Sequence, residues 1–390
     1  MSPVRTGLCS RTQVLDAAVD PLTALGPGGF AWFAGGFGLA TAGVAARVEA
    51  GEAERVLAEI AGDDPLGLPG TGPLAVGALG FDGERRLIVP ARIVGRTEEG
   101  LGWITEIGPA DDGAEGWPAA GLPTPARSDR GAWTAAVAEA LARIGDGRLA
   151  KVVLAREVTV DLDRPLDVAT LVDRLRHQQP SCFTYAAGAY VGASPELLAR
   201  RRGRQVVSRP MAGTVSQGGS PGEDHRLVTA MAASAKEQAE HRLVVECVRA
   251  TLAGLCEDLE ARRQPEVVRL STVAHLATTV AGRLRRPSAS ALQVAALLHP
   301  TPAVAGVPER AALAAIAELE DFDRGLYAGP VGWVDARGDG DWAVALRSAT
   351  LDGTRARLVA GAGIVAGSDP DAEWDETEAK LAAVRTALAG

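Results

Sequence analysis

Three apolar runs near the C-terminus, Leu326 to Val334, Trp342 to Leu351 and Thr354 to Ala362, follow one another with connections too short to hold a crossover helix. Strands joined in this way must pair antiparallel, because a parallel return needs a dozen or more residues. Asp352-Gly353, between the last two runs, is a hairpin turn in its own right. Earlier runs read the same way: Lys151 to Val160, Cys182 to Val191, Leu197 to Val207 and Glu266 to His275 are rich in β-branched residues and separated by turn residues. Helical spacing is expected at Glu52 to Ala61, Arg130 to Ile144, Pro165 to Gln178, Gly222 to Met231, Ser234 to Leu259, Ser290 to Leu298 and Pro308 to Leu319. Strands outnumber helices, which predicts a mainly antiparallel α+β protein.

The period changes after the third run. Gly361-Ala362-Gly363 predicts a turn with uncrowded backbone N–H groups, and Asp369-Pro370 predicts the N-cap and first turn of a helix. On that helix Trp374, Thr377, Leu381, Val384 and Leu388 form an apolar stripe. Glu373, Glu376 and Lys380 share one flank of it, about 60° wide at the helical pitch. Such an edge suits a hard cation held through oxygen ligands. It is also what a solvated helix with intrahelical ion pairs looks like, and this stretch alone leaves both readings open.

The bounds are those of an ordinary globular protein: 390 residues, 47% hydrophobic, 23% charged, with a net charge of -9 that argues against a nucleic-acid footprint. Cys9, Cys182, Cys247 and Cys256 form neither a C-x-x-C pair nor a disulfide framework, and are expected as reduced, mostly buried thiols in the cytoplasm. The N-terminus lacks a signal-peptide core. Pro21 to Ala46 is uncharged, but its glycines and Pro27 favour short buried strands over a membrane helix. Gly108 to Ser128, rich in Gly, Pro and Ala, is the best linker or loop candidate and separates residues 1–128 from 129–390.

A series of phrases then has to be read together: KVVLAR at Lys151, SPELLAR at Ser194, RPMAGT at Arg209, SAKEQAEH at Ser234, LHPTPAVAGVP at Leu298, GLYAGPVGW at Gly325, ALRSA at Ala345, and GAGIV…AEWDETEAK at the end. In this order they resemble the chorismate-utilising enzymes, the anthranilate synthase component I-like family, and most closely its isochorismate synthases. The resemblance spans about Arg130 to Leu388. It implies a chorismate-binding fold of two packed, mainly antiparallel sheets with helices outside, residues 1–128 being integral to it and the Gly108 loop a surface insertion. It further implies addition of water at C2 of chorismate with loss of the C4 hydroxyl, for siderophore or menaquinone biosynthesis.

That reaction needs a base for water, an acid for the departing hydroxyl, and partners for two substrate carboxylates. By the resemblance, Lys151 is the base, which a lysine can be only as the neutral amine, a form that desolvation or nearby positive charge favours. Glu196 is the acid and must be protonated, which an apolar surrounding or a neighbouring carboxylate would favour. Glu240 and Glu376 match magnesium ligands, with Glu237 and Glu373 a turn earlier as indirect partners; a hard oxygen set suits Mg2+ better than the zinc that His241 and His275 bring to mind. Tyr327 and Arg347 match carboxylate partners, with Gly361, Ala362 and Gly363 as backbone donors. Gly213, Thr214 and Lys380 are further binding candidates, and His275 is either a residue near the ring or a satisfied core histidine.

Lys151 and Ala212 favour water over ammonia as nucleophile, since ammonia-using relatives carry another residue at the first place and aminodeoxychorismate synthases a lysine at the second. No glutaminase subunit and no membrane partner are implied, and a monomer is expected. Two alternatives stay open: a salicylate synthase that goes on to eliminate pyruvate, and a catalytically silent chorismate-binding protein.

Overall fold

The computed structural model describes every residue except 1–6, 17–18, 84–85, 109–128 and 218. The expected Gly108 linker therefore lies, past Gly108 itself, outside the described residues. Almost every strand pairs antiparallel; among the described residues the exception is Cys9–Leu15 beside Ala61–Asp63. Two large sheets result, of 12 and 9 strands, with a third of 3 strands. Both large sheets draw on the two ends of the sequence. In the larger, Phe183–Ala187 pairs with Phe30–Ala34; in the smaller, Pro330–Asp335 pairs with Leu74–Ala78.

The elements that carry the site are, in chain order, β1 (Lys151–Asp161), β2 (Met211–Ser216), α1 (Ala235–Leu255), β3 (Val273–Ala277), α2 (Glu309–Leu319), β4 (Ser348–Asp352), β5 (Arg355–Val365) and α3 (Pro370–Ala389). Alternation along the strands of the two large sheets sends Trp32, Leu39, Leu74, Val76, Trp333 and Trp342 into one buried core. The opposite face of the larger sheet is closed by helices. Val191 and Leu358 meet Leu171 and Leu175 of one helix and Leu381, Val384 and Leu388 of α3. The expected stripe on α3 is thus a core face, and Asp369 caps the helix by accepting from the N–H groups of Asp371 and Ala372. β2 and β3 belong to the small sheet, which packs Ala274 and Leu276 on Val228 and Met231.

Several expected elements differ. The helix expected to run to Leu259 stops at Leu255, because Cys256–Ala261 pairs with Val280–Leu284, a strand partner that overrides helical propensity. Cys182 to Val191, Leu197 to Val207 and Trp342 to Leu351 are each two strands. Gly361-Ala362-Gly363 is not a turn: it lies in β5, opposite Ala155, Leu154 and Val153 of β1. The four cysteines are unpaired, but only Cys182 and Cys256 are buried. No helix among the described residues is long and apolar enough to cross a membrane.

Candidate active site

The site forms where the two large sheets part. Ser194 ends a strand of the larger sheet and Leu197 begins one of the smaller, so Pro195-Glu196 is the crossing. Ala345-Leu346-Arg347 makes the return crossing, from Gly340–Val344 to β4. The two crossings bond to each other, Val344 N to Glu196 O at 3.1 Å and Ala193 N to Arg347 O at 3.2 Å. Arg347 sits there at φ 51 and Ala328, opposite, at φ 65. A side-chain-bearing residue adopts that left-handed backbone only when its surroundings impose it, as they do at functional sites.

Glu196 and Arg347 face a cleft whose walls also include Lys151, Glu240, Tyr327 and Glu376. Gly213, Thr214, His275, Gly361, Gly363 and Lys380 line it as well. Three expected residues do not. Ala362 is opposite Leu154 of β1, with no exposed surface, whereas Gly361 turns its backbone outward and accepts from Lys380 Nζ at 2.8 Å. Alternation in an antiparallel ladder therefore makes Gly361 and Gly363, and not Ala362, the candidate backbone donors. Glu237 is set back, accepting from Thr214 N at 3.2 Å, and Glu373 is buried beside Lys236 at 3.6 Å.

The electrostatics divide the cleft. Glu196 is 4% exposed, and burial pushes its carboxyl up to about 7, against the pull of the Met211 N–H and of Lys151, Arg347 and Lys380. Of the two causes expected for a protonated acid, burial is the one that acts here; a neighbouring carboxylate is not among them. Lys151 is 1% exposed and its Nζ lies 2.8 Å from Glu240 Oε1, so desolvation is present but its close neighbour is a carboxylate, not a positive charge. Lys380 pairs with Glu376 at 2.5 Å. The intrahelical pair is real, yet it lies in the cleft and not on a solvated face.

His275 has no solvent contact to speak of, and burial, reinforced by Arg347 and Lys380, holds it well below the usual imidazole range. Its Nε2 faces Arg347 Nη2 at 2.9 Å, and its Nδ1 faces Gly213 O at 3.3 Å and Thr214 Oγ1 at 3.1 Å. Arginine only donates and a carbonyl only accepts, so the ring is neutral with its proton on Nδ1. It is a satisfied histidine and a wall of the cleft at once. Tyr327 is buried, its phenol pushed up to about 12 by that burial and held against the Gly361 backbone. His241 lies outside the cleft lining, bonded through Nε2 to Thr278 Oγ1 at 2.7 Å.

For a metal, the candidate donors are the four glutamates of α1 and α3. Among the described residues no three carboxylate, His or Cys groups converge closely enough to ligate an ion as they stand. Their charges nevertheless crowd one another. Burial and then Glu240 and Glu376 raise Glu237, and burial and then Glu376 raise Glu373 to about 7. A hard oxygen set strained by like charge fits a divalent cation such as magnesium.

Sequence reasoning missed Val153, Met211, Val304 and Leu346 in the walls. Val153, two residues along β1 from Lys151, was recoverable from strand alternation; the others lie within the phrases RPMAGT, LHPTPAVAGVP and ALRSA, but as apolar residues they carried no chemical signal of their own.

Comparison with known proteins agrees with this geometry. The family described as chorismate binding enzyme matches residues 118–389. The chain belongs to that family. It is 39% identical over 335 residues to isochorismate synthase DhbC of Bacillus subtilis, covering 81% of each chain. With the salicylate biosynthesis isochorismate synthase of Pseudomonas aeruginosa it shares 43% identity over 264 residues, 67% of this chain and 55% of that one. The structure of MenF, the menaquinone-specific isochorismate synthase of Escherichia coli, superposes with a TM-score of 0.82 at 28% identity, covering 98% of this chain and 95% of that one. The two packed antiparallel sheets with outer helices are the fold of this enzyme family, and the chain is an enzyme of it.

Proposed function

We propose that this chain is an isochorismate synthase, adding water at C2 of chorismate and expelling the C4 hydroxyl. The observation that carries the proposal is that one buried amine side chain, Lys151, and one buried, protonatable carboxyl, Glu196, open onto the same cleft. Lys151 Nζ, in its neutral amine form, takes a proton from water as the oxygen bonds to C2. The ring double bonds shift, the C4–O bond breaks, and Glu196 gives its proton to the leaving hydroxide, so the product is an isomer of the substrate. Arg347 and Tyr327, with the Gly361 and Gly363 backbone, hold the enolpyruvyl carboxylate, Arg347 through its forked donors. His275 keeps Arg347 aimed, and Gly213, Thr214 and Lys380 complete the pocket.

Glu240 and Glu376 would hold Mg2+ directly, with Glu237 and Glu373 behind them. When bound, the ion supplies a positive charge that anchors the ring carboxylate and competes for Glu240, the counter-ion of Lys151. Residues 1–128 belong on this reading to the same catalytic unit, since the described strands between Cys9 and Gly108 extend both large sheets. We place the enzyme in the cytoplasm as a monomer feeding siderophore or menaquinone synthesis; its relatives serve more than one pathway.

Incubation of the purified protein with chorismate and magnesium, with chromatographic separation of products, tests the reading. Isochorismate is expected. Salicylate with pyruvate would make it a salicylate synthase, and unchanged chorismate would leave a silent binding protein.

A further inference from the structure

Behind the cleft lies an ion pair that the proposed reaction does not use. Glu320 ends α2, and Arg324, four residues on, reaches back to it: Nη2 to Glu320 Oε1 at 2.5 Å and Nε to Oε2 at 2.8 Å, with the side chains 2% and 3% exposed. Taking two charges out of water is unfavourable by several kcal/mol per ion, and a well-packed apolar pair is often as stable. The charge pairing by itself is therefore a weak reason for these two residues.

The rest of their hydrogen bonds go to the main chain of segments that line the cleft. Arg324 Nη1 donates to Val304 O at 2.8 Å and Nη2 to Val153 O at 2.8 Å. Glu320 Oε1 accepts from Ala155 N at 2.7 Å. The guanidinium lies 4.5 Å from the Phe81 ring centre and 6.0 Å from that of Tyr327, whose backbone N–H donates to Arg324 O at 2.9 Å. The reason for these bonds is an interrupted ladder. β1 has β5 along one edge over its whole length, but on the other edge only Gly306–Val307, opposite Lys151 and Val152, and then Ala305 O, which accepts from Val153 N. The next groups on that edge are Val153 O and Ala155 N. Arg324 and Glu320 supply the donor and the acceptor that a neighbouring strand would have supplied.

We infer that Arg324 and Glu320 are positioning residues for the reaction, fixing β1, which carries Lys151, against the Val304 loop and the turn that carries Tyr327. This rests on the proposed function, so the test needs a readout independent of turnover. Glu320→Leu/Arg324→Met replaces the pair with apolar side chains of similar size. Its thermal midpoint should fall, because Val153 O, Val304 O and the Ala155 N–H lose their partners, and at a temperature where the variant is still fully folded kcat for chorismate should fall about 100-fold, the effect of a misplacement near 1 Å. Hydrogen exchange of the Ala155 amide and of residues 301–305 should accelerate. Wild-type kcat with unchanged exchange overturns the inference. Should the double variant not fold, Arg324→Lys decides: it keeps the charge beside Glu320 but cannot reach both carbonyls, and a folded variant with wild-type kcat and exchange is equally fatal. Should the wild type itself leave chorismate untouched, the functional reading fails and exchange alone judges the clamp, with lost protection supporting it and kept protection refuting it.

Discussion

Glu196→Gln should make the protein more stable and inactive at the same time. In the native fold burial holds the Glu196 carboxyl at about 7, whereas an exposed glutamate sits near 4.5. A raised carboxyl pKa means the fold prefers the protonated form. Its unfavourable contribution is absent below the unfolded value, grows as pH rises from there to about 7, and then levels off. The difference between the two values corresponds to about 3 kcal/mol at pH 8, falling to nearly nothing at pH 4. Glutamine keeps an acceptor for the Met211 N–H and never ionises, so the variant should gain most of that amount at pH 8 and almost none at pH 4. Turnover should drop by about 100-fold to 10,000-fold, the usual contribution of a positioned general acid. Ionisation of Glu196 above about 7 should remove the acid and so oppose any gain in rate from deprotonation of the Lys151 amine. Thermal denaturation at the two pH values and initial rates of isochorismate formation from pH 6 to 9 check both halves. A variant with no pH-dependent gain in stability, or a wild-type rate that climbs unopposed through pH 8, would refute the assignment of Glu196 as a buried acid.

Four further outcomes are expected. Lys151→Ala should abolish turnover while calorimetry still detects chorismate binding; equal loss of both would make the lysine structural. Gly363→Ala should cut activity at least 10-fold in a folded protein, because the new Cβ would lie 2.6 Å from Glu240 Oε1 and 3.1 Å from Lys151 Cε, moving the carboxylate or the base by the order of 1 Å. Arg347→Gly and Arg347→Ala should both be inactive, but the glycine variant should unfold at higher urea by about 1 kcal/mol, since φ 51 disfavours any Cβ; an alanine variant of higher stability would remove the strain argument. Chelation of divalent ions should stop isochorismate formation and magnesium should restore it, and undiminished activity in chelator would exclude the glutamates as metal ligands.

How much of this was legible in the sequence depends on whether the signal was local. α3 was readable almost to the residue, since Asp369 and Pro370 form its cap and first turn and its apolar stripe repeats at helical spacing. Antiparallel pairing was readable because short connections permit nothing else. The break at Ala345-Leu346-Arg347 was not: the apolar pattern runs straight through it, and no glycine marks the left-handed residue. Leu255 was unreadable for a different reason, since the competing partner of Cys256–Ala261 lies at Val280–Leu284. For the site, spacing alone could not bring Lys151 to Glu240 or Glu196 to Arg347, and the family phrases supplied what periodicity lacked.

Gly361 and Gly363 show why correct residues can be chosen for the wrong reason. Glycine in a loop-like phrase suggests a turn, where the missing Cβ permits unusual φ. Neither residue has positive φ here; both are extended members of β5. What excludes a side chain is occupancy of the space in front of the strand. A Cβ at Gly361 would stand 2.9 Å from Leu154 O and 3.2 Å from the Tyr327 hydroxyl, and one at Gly363 would meet Glu240 and Lys151. β5 loses β4 as a neighbour beyond Val359, and along the edge so vacated Lys380 donates to Gly361 O where a strand would otherwise lie. The glycines serve close approach and not turning, a distinction that depends on partners more than two hundred residues away for Lys151 and more than a hundred for Glu240.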